Sequence, residues 1–451
     1  MRKWGNIGVM KLKGFYSSLI AIAVPIMLQN LLQNFVNMLD TIMIGRLGSV
    51  EIAAVGLGNQ VFFVLNMILF GITSGGGVFI AQFWGKKDIS GIKKSLGIIL
   101  SLSVIVSAVF TLLCLTIPYS IIRLYSPDTE VIKAGGDYLR LVSLSYIITA
   151  ITFAYTQAFR CTEKVKLPLV CTILSMVINA AANYLLIFVA GWGVKGAALA
   201  TVFSRLVEVV VILSWSYGHK YESCGKLKEL LDFDWSFMGK FVRVAIPVIL
   251  NETLWGLGIT VTNGIYAHAG TEAITAVNIT GTISQLTWVF CMGFGNGISV
   301  IIGKKIGEGD IELATGYAKR SLWFLPAVGA FVGIFLWPLS YTLPVFFNVG
   351  PEIIHTAKQM LIVLMFSYPF ASFCMNWIVG VCRAGGDTVF SALAEMGTMW
   401  LYAVPIGFLS AFVFDLPVIW IYICISSENI LKAAIGLIRV LSGKWLHDVT
   451  R

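Results

Sequence analysis

Roughly twelve apolar stretches punctuate this chain, and each has the ~20 residues that a helix needs to cross a hydrocarbon core. Inside lipid every backbone polar group must be paired within the protein, so runs of this length cross as helices. The sequence therefore predicts an all-α integral membrane protein. The spans are expected at 16–44, 52–84, 96–117, 138–159, 168–190 and 196–217, then 241–267, 273–302, 317–343, 354–382, 388–414 and 417–440. The charged share of 12% points the same way, being about half that of a soluble domain. A net charge of +9 raises the question of nucleic acid, but the basic residues lie mostly in short loops between spans and form no single face. No nucleic-acid partner is expected. The eight cysteines form no CxxC pair and read as small apolar residues. Residues 16–44 are too long for a signal-peptide core, so the first span is expected to remain.

A charge-rich break at 219–240, HKYESCGKLKELLDFDWSFMGK, divides the spans six and six. We expect an N-lobe over residues 1–220, a cytoplasmic linker over 221–240 and a C-lobe over 241–451. An even number of spans puts both termini on one side. That side carries about 25 Lys and Arg against about 6 opposite, with Lys86-Lys87, Lys93-Lys94, Lys304-Lys305 and Lys319-Arg320 the main contributors. The expectation is a multi-pass protein of the plasma (cytoplasmic) membrane with both termini cytoplasmic.

The halves repeat. A shift of 222 residues lays Pro25 on Pro247, Gly48 on Gly270, Ile52 on Ile274, Ala54 on Ala276, Gly85 on Gly307 and Asp88 on Asp310. One more residue of shift lays Arg160 on Arg383. Successive six-span halves enter from the same side, so the two bundles should be related by an axis along the membrane normal, as in transporters that rock around a central site.

Polarity inside the spans carries the chemistry. In PIMLQNLLQNFVNMLDTIMIGRLG, residues 25–48, the side chains of Asn30, Asn34, Asn37 and Thr41, with Gln33 and Asp40, share one helix face. A carboxylate near mid-span costs about 3 kcal/mol, so Asp40 must face protein or a wet cavity. Arg205 and Glu208, three apart, and Glu428 and Lys432, four apart, can each pair along one helix. Glu395 lies some two turns inside the eleventh span and could reach the cytoplasmic surface, so it ranks below the next two. Asp40 and Glu252 have no basic residue within a turn, and they stand out as candidates. Asp40 with Asn179, Asn183 and Thr201 would make an oxygen-rich site for Na⁺, or a hydrogen-bonded shell for a proton; the amides and hydroxyl could equally join helices. Asn34 and Asn37 would line a substrate cavity. In the second half, Glu252 with Asn278 and Gln285, beside Trp255 and Trp288, suits a cation or an organic cationic substrate. The repeat sets Asp40 against Thr262 and Asn30 against Glu252, so the lobes are chemically unequal. Pro25 and Pro247 should bend their helices, and a bend four turns from Asp40 could couple ion binding to helix position.

Gly307-Glu308-Gly309-Asp310 fits a G-x-G-D protease pattern, but it falls in a loop and its repeat mate is Gly85-Lys86-Lys87-Asp88. We read it as a turn. With no H-E-x-x-H, G-x-S-x-G or P-loop motif, a membrane-embedded enzyme is disfavoured.

The runs VPIMLQNLLQNFVNMLDTIMIGRLG, GVFIAQFWGKKD, FRCTEKVKLP, NAAANYLLIF and GVKGAALAT resemble the multidrug and toxic compound extrusion (MATE) transporters of the MOP flippase superfamily. The resemblance covers essentially the whole chain. It implies a secondary antiporter that exports amphipathic, often cationic, compounds in exchange for Na⁺ or H⁺; no cofactor is expected, and the protein is expected to be a monomer. It places the family's first-span acid on Asp40, its cation-site partners on Asn179, Asn183 and Thr201, and the seventh-span glutamate of the NorM-like branch on Glu252. Asn183 stands where some members have aspartate, and Asn376 is the polar residue nearest the tenth-span aspartate of others. A lipid-linked oligosaccharide flippase is the alternative that the same superfamily allows.

Overall fold

The computed structural model describes residues 9–342 and 349–450. Leu343, the end of the expected ninth span, lies outside them, as do Arg2 and Lys3. Among the described residues the secondary structure is helical throughout, apart from an isolated bridge between Gly386 and Leu446.

Twelve membrane-length units follow one another: α1 (Val9–Gly45), α2 (Ser49–Lys86), α3 (Ile89–Thr116), α4 (Thr129–Val142 and Ser145–Cys161), α5 (Lys166–Val189), α6 (Gly193–Gly218), α7 (Trp235–His268), α8 (Thr271–Gly307), α9 (Ile311–Thr342), α10 (Pro351–Arg383), α11 (Thr388–Val413) and α12 (Val418–Ser442). Among the described residues eleven are long and apolar enough to cross singly, and α4 becomes the twelfth when its two segments, bent by 48°, are taken together. This unit begins nine residues before the expected span. Asp128 caps it through the Glu130 N–H at 2.9 Å, so the polar run TEVIKAGGD is helical despite its low hydropathy. The bend falls at Ser143, whose carbonyl accepts a hydrogen bond from Thr111 Oγ1 at 3.0 Å.

The G-x-G-D segment is a helix junction. Asp310 caps α9 through the Leu313 N–H at 3.1 Å, and its repeat mate Asp88 caps α3 through the Gly91 N–H at 2.9 Å. Neither aspartate stands in a span.

Packing divides the chain into two compact units. The N-terminal unit is Leu28–Ile249; the other joins the part of α1 up to Met27 to Leu250–Arg451. These limits differ from the expected lobes of 1–220 and 241–451. Both changes of unit occur inside a continuous helix, two residues after Pro25 and Pro247. The missing proline N–H removes one rung of each helix just before the change. The linker belongs to the N-terminal unit: Lys93 reaches Glu229 at 2.9 Å and Lys94 reaches Asp232 at 3.6 Å. Leu230 is buried there, its carbonyl so close to Gly97 that no Cβ would fit. The hydrogen bond from Lys93, above all, holds the Glu229 carboxyl below its ordinary range.

Within the N-terminal unit, Leu65, Leu69, Tyr146 and Ala150 anchor the core. In the C-terminal unit, Trp377 fills the space left by Gly436, and Trp445 is fully buried beside Gly385. His447 N–H donates to the Gly385 carbonyl at 2.8 Å, and Arg439 grips Asp387 with two bonds of 2.7 and 3.0 Å.

Candidate cation and substrate site

The N-terminal unit contains a cavity of about 320 Å³ between α1, α2, α4, α5 and α6. Gln33, Asn37, Asp40 and Thr41 reach it from α1 because they recur at helical spacing on one face. Asn59 and Asn66 enter from α2, Asn179 from α5, and Thr201, Arg205 and Glu208 from α6. Asp40 is half-buried. Its Oδ1 accepts from Asn183 Nδ2 at 2.6 Å, and the same nitrogen donates to Asn179 Oδ1 at 3.2 Å. Asn179 Nδ2 in turn donates to Ser204 Oγ at 3.4 Å. Asn183 is 1% exposed, yet its own Oδ1 has no hydrogen-bond partner. A buried carbonyl oxygen left unpaired costs about 1–3 kcal/mol, so an ion or a water there would be stabilised.

Of the four residues expected together, Asp40, Asn179 and Asn183 are thus one bonded cluster. Thr201 lines the same cavity, but its hydroxyl donates to the Ala197 carbonyl of its own helix at 3.1 Å. Asn37 lines the cavity, whereas Asn34 does not. No group of three His, Cys, Asp or Glu residues with metal-binding geometry occurs among the described residues. Glu208, the other carboxylate lining the cavity, is paired with Arg205 at 2.9 Å, so an ion beside Asp40 would depend on one carboxylate and neutral oxygens.

The expected second site is not assembled. Glu252 Oε1 accepts from Arg383 Nη2 of α10 at 2.5 Å, so this carboxylate already has its counter-cation. Asn278 and Gln285 are exposed and neither bonds Glu252; Trp255 and Trp288 are half-buried. Sequence spacing could not show this, because Arg383 is distant in the chain. The remaining in-span charges of this unit also pair. Glu428 and Lys432 meet at 2.6 Å, Thr398 Oγ1 donates to Glu428 at 2.9 Å, and Lys432 stands 3.9 Å from Glu395. Glu395 accepts from Asn251 Nδ2 at 2.7 Å, so its carboxyl is held by that amide and stands beside Lys432.

The repeat explains the missed pair. In the N-terminal unit Arg160 Nη2 donates to Gln29 Oε1 at 2.6 Å, and Gln29 Nε2 donates to Thr172 Oγ1 at 3.2 Å. Each arginine bonds the residue 131 positions before it. By bonding, then, Glu252 corresponds to Gln29, one place from the Asn30 that simple alignment gives. The signal was present in the match of Arg160 with Arg383, but their partners could not be read from it.

The chain is similar to known proteins. The MatE family model matches residues 25–185 and again 247–409, one copy in each half of the sequence. The chain is 26% identical over 442 residues to the "Probable multidrug resistance protein NorM" of Thermotoga maritima, covering 95% of this chain and 92% of that protein. It is 24% identical to human "Multidrug and toxin extrusion protein 1", covering 95% of this chain and 75% of that one. A structure described as the "Outward-facing conformation of a multidrug resistance MATE family transporter of the MOP superfamily" superposes with a TM-score of 0.86 at 20% identity, covering 95% and 96% of the two chains.

Proposed function

The chain belongs to the MatE family of membrane transporters, and on that premise we propose that it is a multidrug efflux antiporter exchanging amphipathic or cationic compounds for Na⁺ or H⁺. One observation carries the reading: Asp40 projects into a polar cavity at membrane depth, held by an amide and with no basic residue bonded to it. Ion and substrate would each bind there, and each would favour a different conformation; the ion gradient then drives release by shifting populations. The unpaired Asn183 oxygen supports a role for Asn183 beside Asp40.

Glu252 is a weaker coupling candidate, because ion entry would have to displace a guanidinium from it. Two carboxylates against one guanidinium around the cavity also disfavour the anionic cargo of a flippase. We place the protein in the plasma membrane, with both termini cytoplasmic on the Lys/Arg bias, and as a monomer.

The test is efflux of an organic cation from vesicles under an imposed Na⁺ or pH gradient. One of the two gradients should support efflux in the native protein, and Asp40→Asn should reduce it to the leak rate. Normal gradient-driven efflux by Asp40→Asn would falsify the reading.

A further inference from the structure

Arg205 is the one guanidinium lining the cavity that holds Asp40. A single hydrogen bond ties it down, from Nη1 to Glu208 Oε2 at 2.9 Å. An arginine has five N–H donors, and among the described residues no other acceptor bonds to them. The side chain is 17% exposed and lines the cavity. Unpaired donors at membrane depth are costly, so whatever fills the cavity is selected for its acceptors. A guanidinium fork bound on one side by a single oxygen keeps an edge that matches a carboxylate in two-pronged geometry. Asp40 is in the same position with opposite sign: its Oδ1 is used by Asn183, and its Oδ2 has no bonded donor. Both charges line the same cavity.

We propose that Arg205 sets substrate specificity, making this cavity a two-ended site for small amphipathic zwitterions. The protonated amine sits on Asp40 and the carboxylate on the free edge of Arg205. Charges then alternate along the line Glu208, Arg205, ligand carboxylate, ligand amine, Asp40, so every charge has opposite neighbours. A simple cation satisfies only the Asp40 end and leaves the Arg205 donors unpaired. The apolar body would lie against Val36, Phe62 and Met176.

This inference rests on the transport reading for its purpose, but its test does not require a gradient. Binding of Nε-dansyl-lysine and of its methyl ester, which lacks the carboxylate, is measured by fluorescence on the purified full-length protein. The acid should bind at least about tenfold more tightly than the ester, the size expected for a charge-assisted pair. Arg205→Gln alone leaves Glu208 buried and unpaired, with the risk of misfolding, so the deciding protein is Arg205→Gln/Glu208→Gln. It should lose the preference for the acid while still binding the ester, and Arg205→Lys should retain part of it. Equal binding of acid and ester by the native protein overturns the proposal, as does an unchanged preference in the double variant. If neither probe moves in native vesicles under either gradient, the transport reading fails while the binding ratio still judges Arg205.

Discussion

The two units treat their repeat-related buried arginines, and one acid each, differently although they share one repeat. In the C-terminal unit, Glu252 is bonded to Arg383 and Glu428 to Lys432, so charge is met by charge from a neighbouring helix or turn. In the N-terminal unit the arginine equivalent to Arg383 meets a neutral amide, Gln29, and Asp40, to which no basic side chain is bonded among the described residues, opens onto a cavity. A carboxylate that keeps a permanent counter-cation stabilises a fold. One that is held by an amide beside open space can exchange its partner, and that is the property a coupled transporter needs.

The sharpest way to break this contrast is to neutralise one acid in each unit. Asp40→Asn should abolish gradient-driven efflux, whereas Glu252→Gln should retain a measurable part of it in the same vesicles. If the two variants behave alike, the units are not functionally distinct.

Stability should show the reverse order. Glu252→Ala removes the carboxylate from beside the Arg383 guanidinium, which is 3% exposed, and should cost about 3–5 kcal/mol in thermal unfolding of the purified protein. Glu252→Gln recreates the Arg160–Gln29 arrangement of the other unit, in which an amide oxygen still accepts, and should cost only about 1–2 kcal/mol. Equal losses for Ala and Gln would mean that the amide in the N-terminal unit contributes nothing.

A smaller effect is expected from Asn183→Ala. It removes the 2.6 Å bond to Asp40 and an unpaired oxygen together, and should weaken the apparent affinity for the coupling ion by about tenfold with little loss of fold. The ion dependence of the efflux rate reads this directly. The smallest effect belongs to the linker. Glu229 is held below its ordinary range, so its contribution is present above the unfolded value near 4.5 and fades as the pH falls through the lower folded value. At neutral pH Lys93→Ala should leave transport unchanged, and any difference in unfolding temperature from the native protein should shrink on acidification.

Much of the architecture was legible because the signals that carry it are local. Twelve apolar runs, a break at 219–240 and matching landmarks at a fixed shift all depend on residues close in sequence or on the repeat itself. Helical periodicity likewise showed that Asp40, Asn37 and Gln33 share a face. It also paired Arg205 with Glu208 and Lys432 with Glu428, because three- and four-residue spacing is a property of a single helix. What it lacked was any account of which helices neighbour each other and how each is turned. Glu252 therefore looked unpaired until α10 was placed beside α7, and Asn278 and Gln285 looked like its partners although they point elsewhere.

By itself, then, the sequence determined a twelve-helix membrane protein, duplicated in two halves, with an isolated acid in its first span, because apolar length, spacing and repetition act along the chain. Only the tertiary structure decided that Arg383 neutralises Glu252, that Arg205 shares a cavity with Asp40, and that α1 and α7 change unit after their prolines. Those outcomes depend on side chains meeting across more than a hundred residues, and helix rotation and packing, not spacing, set which of them meet.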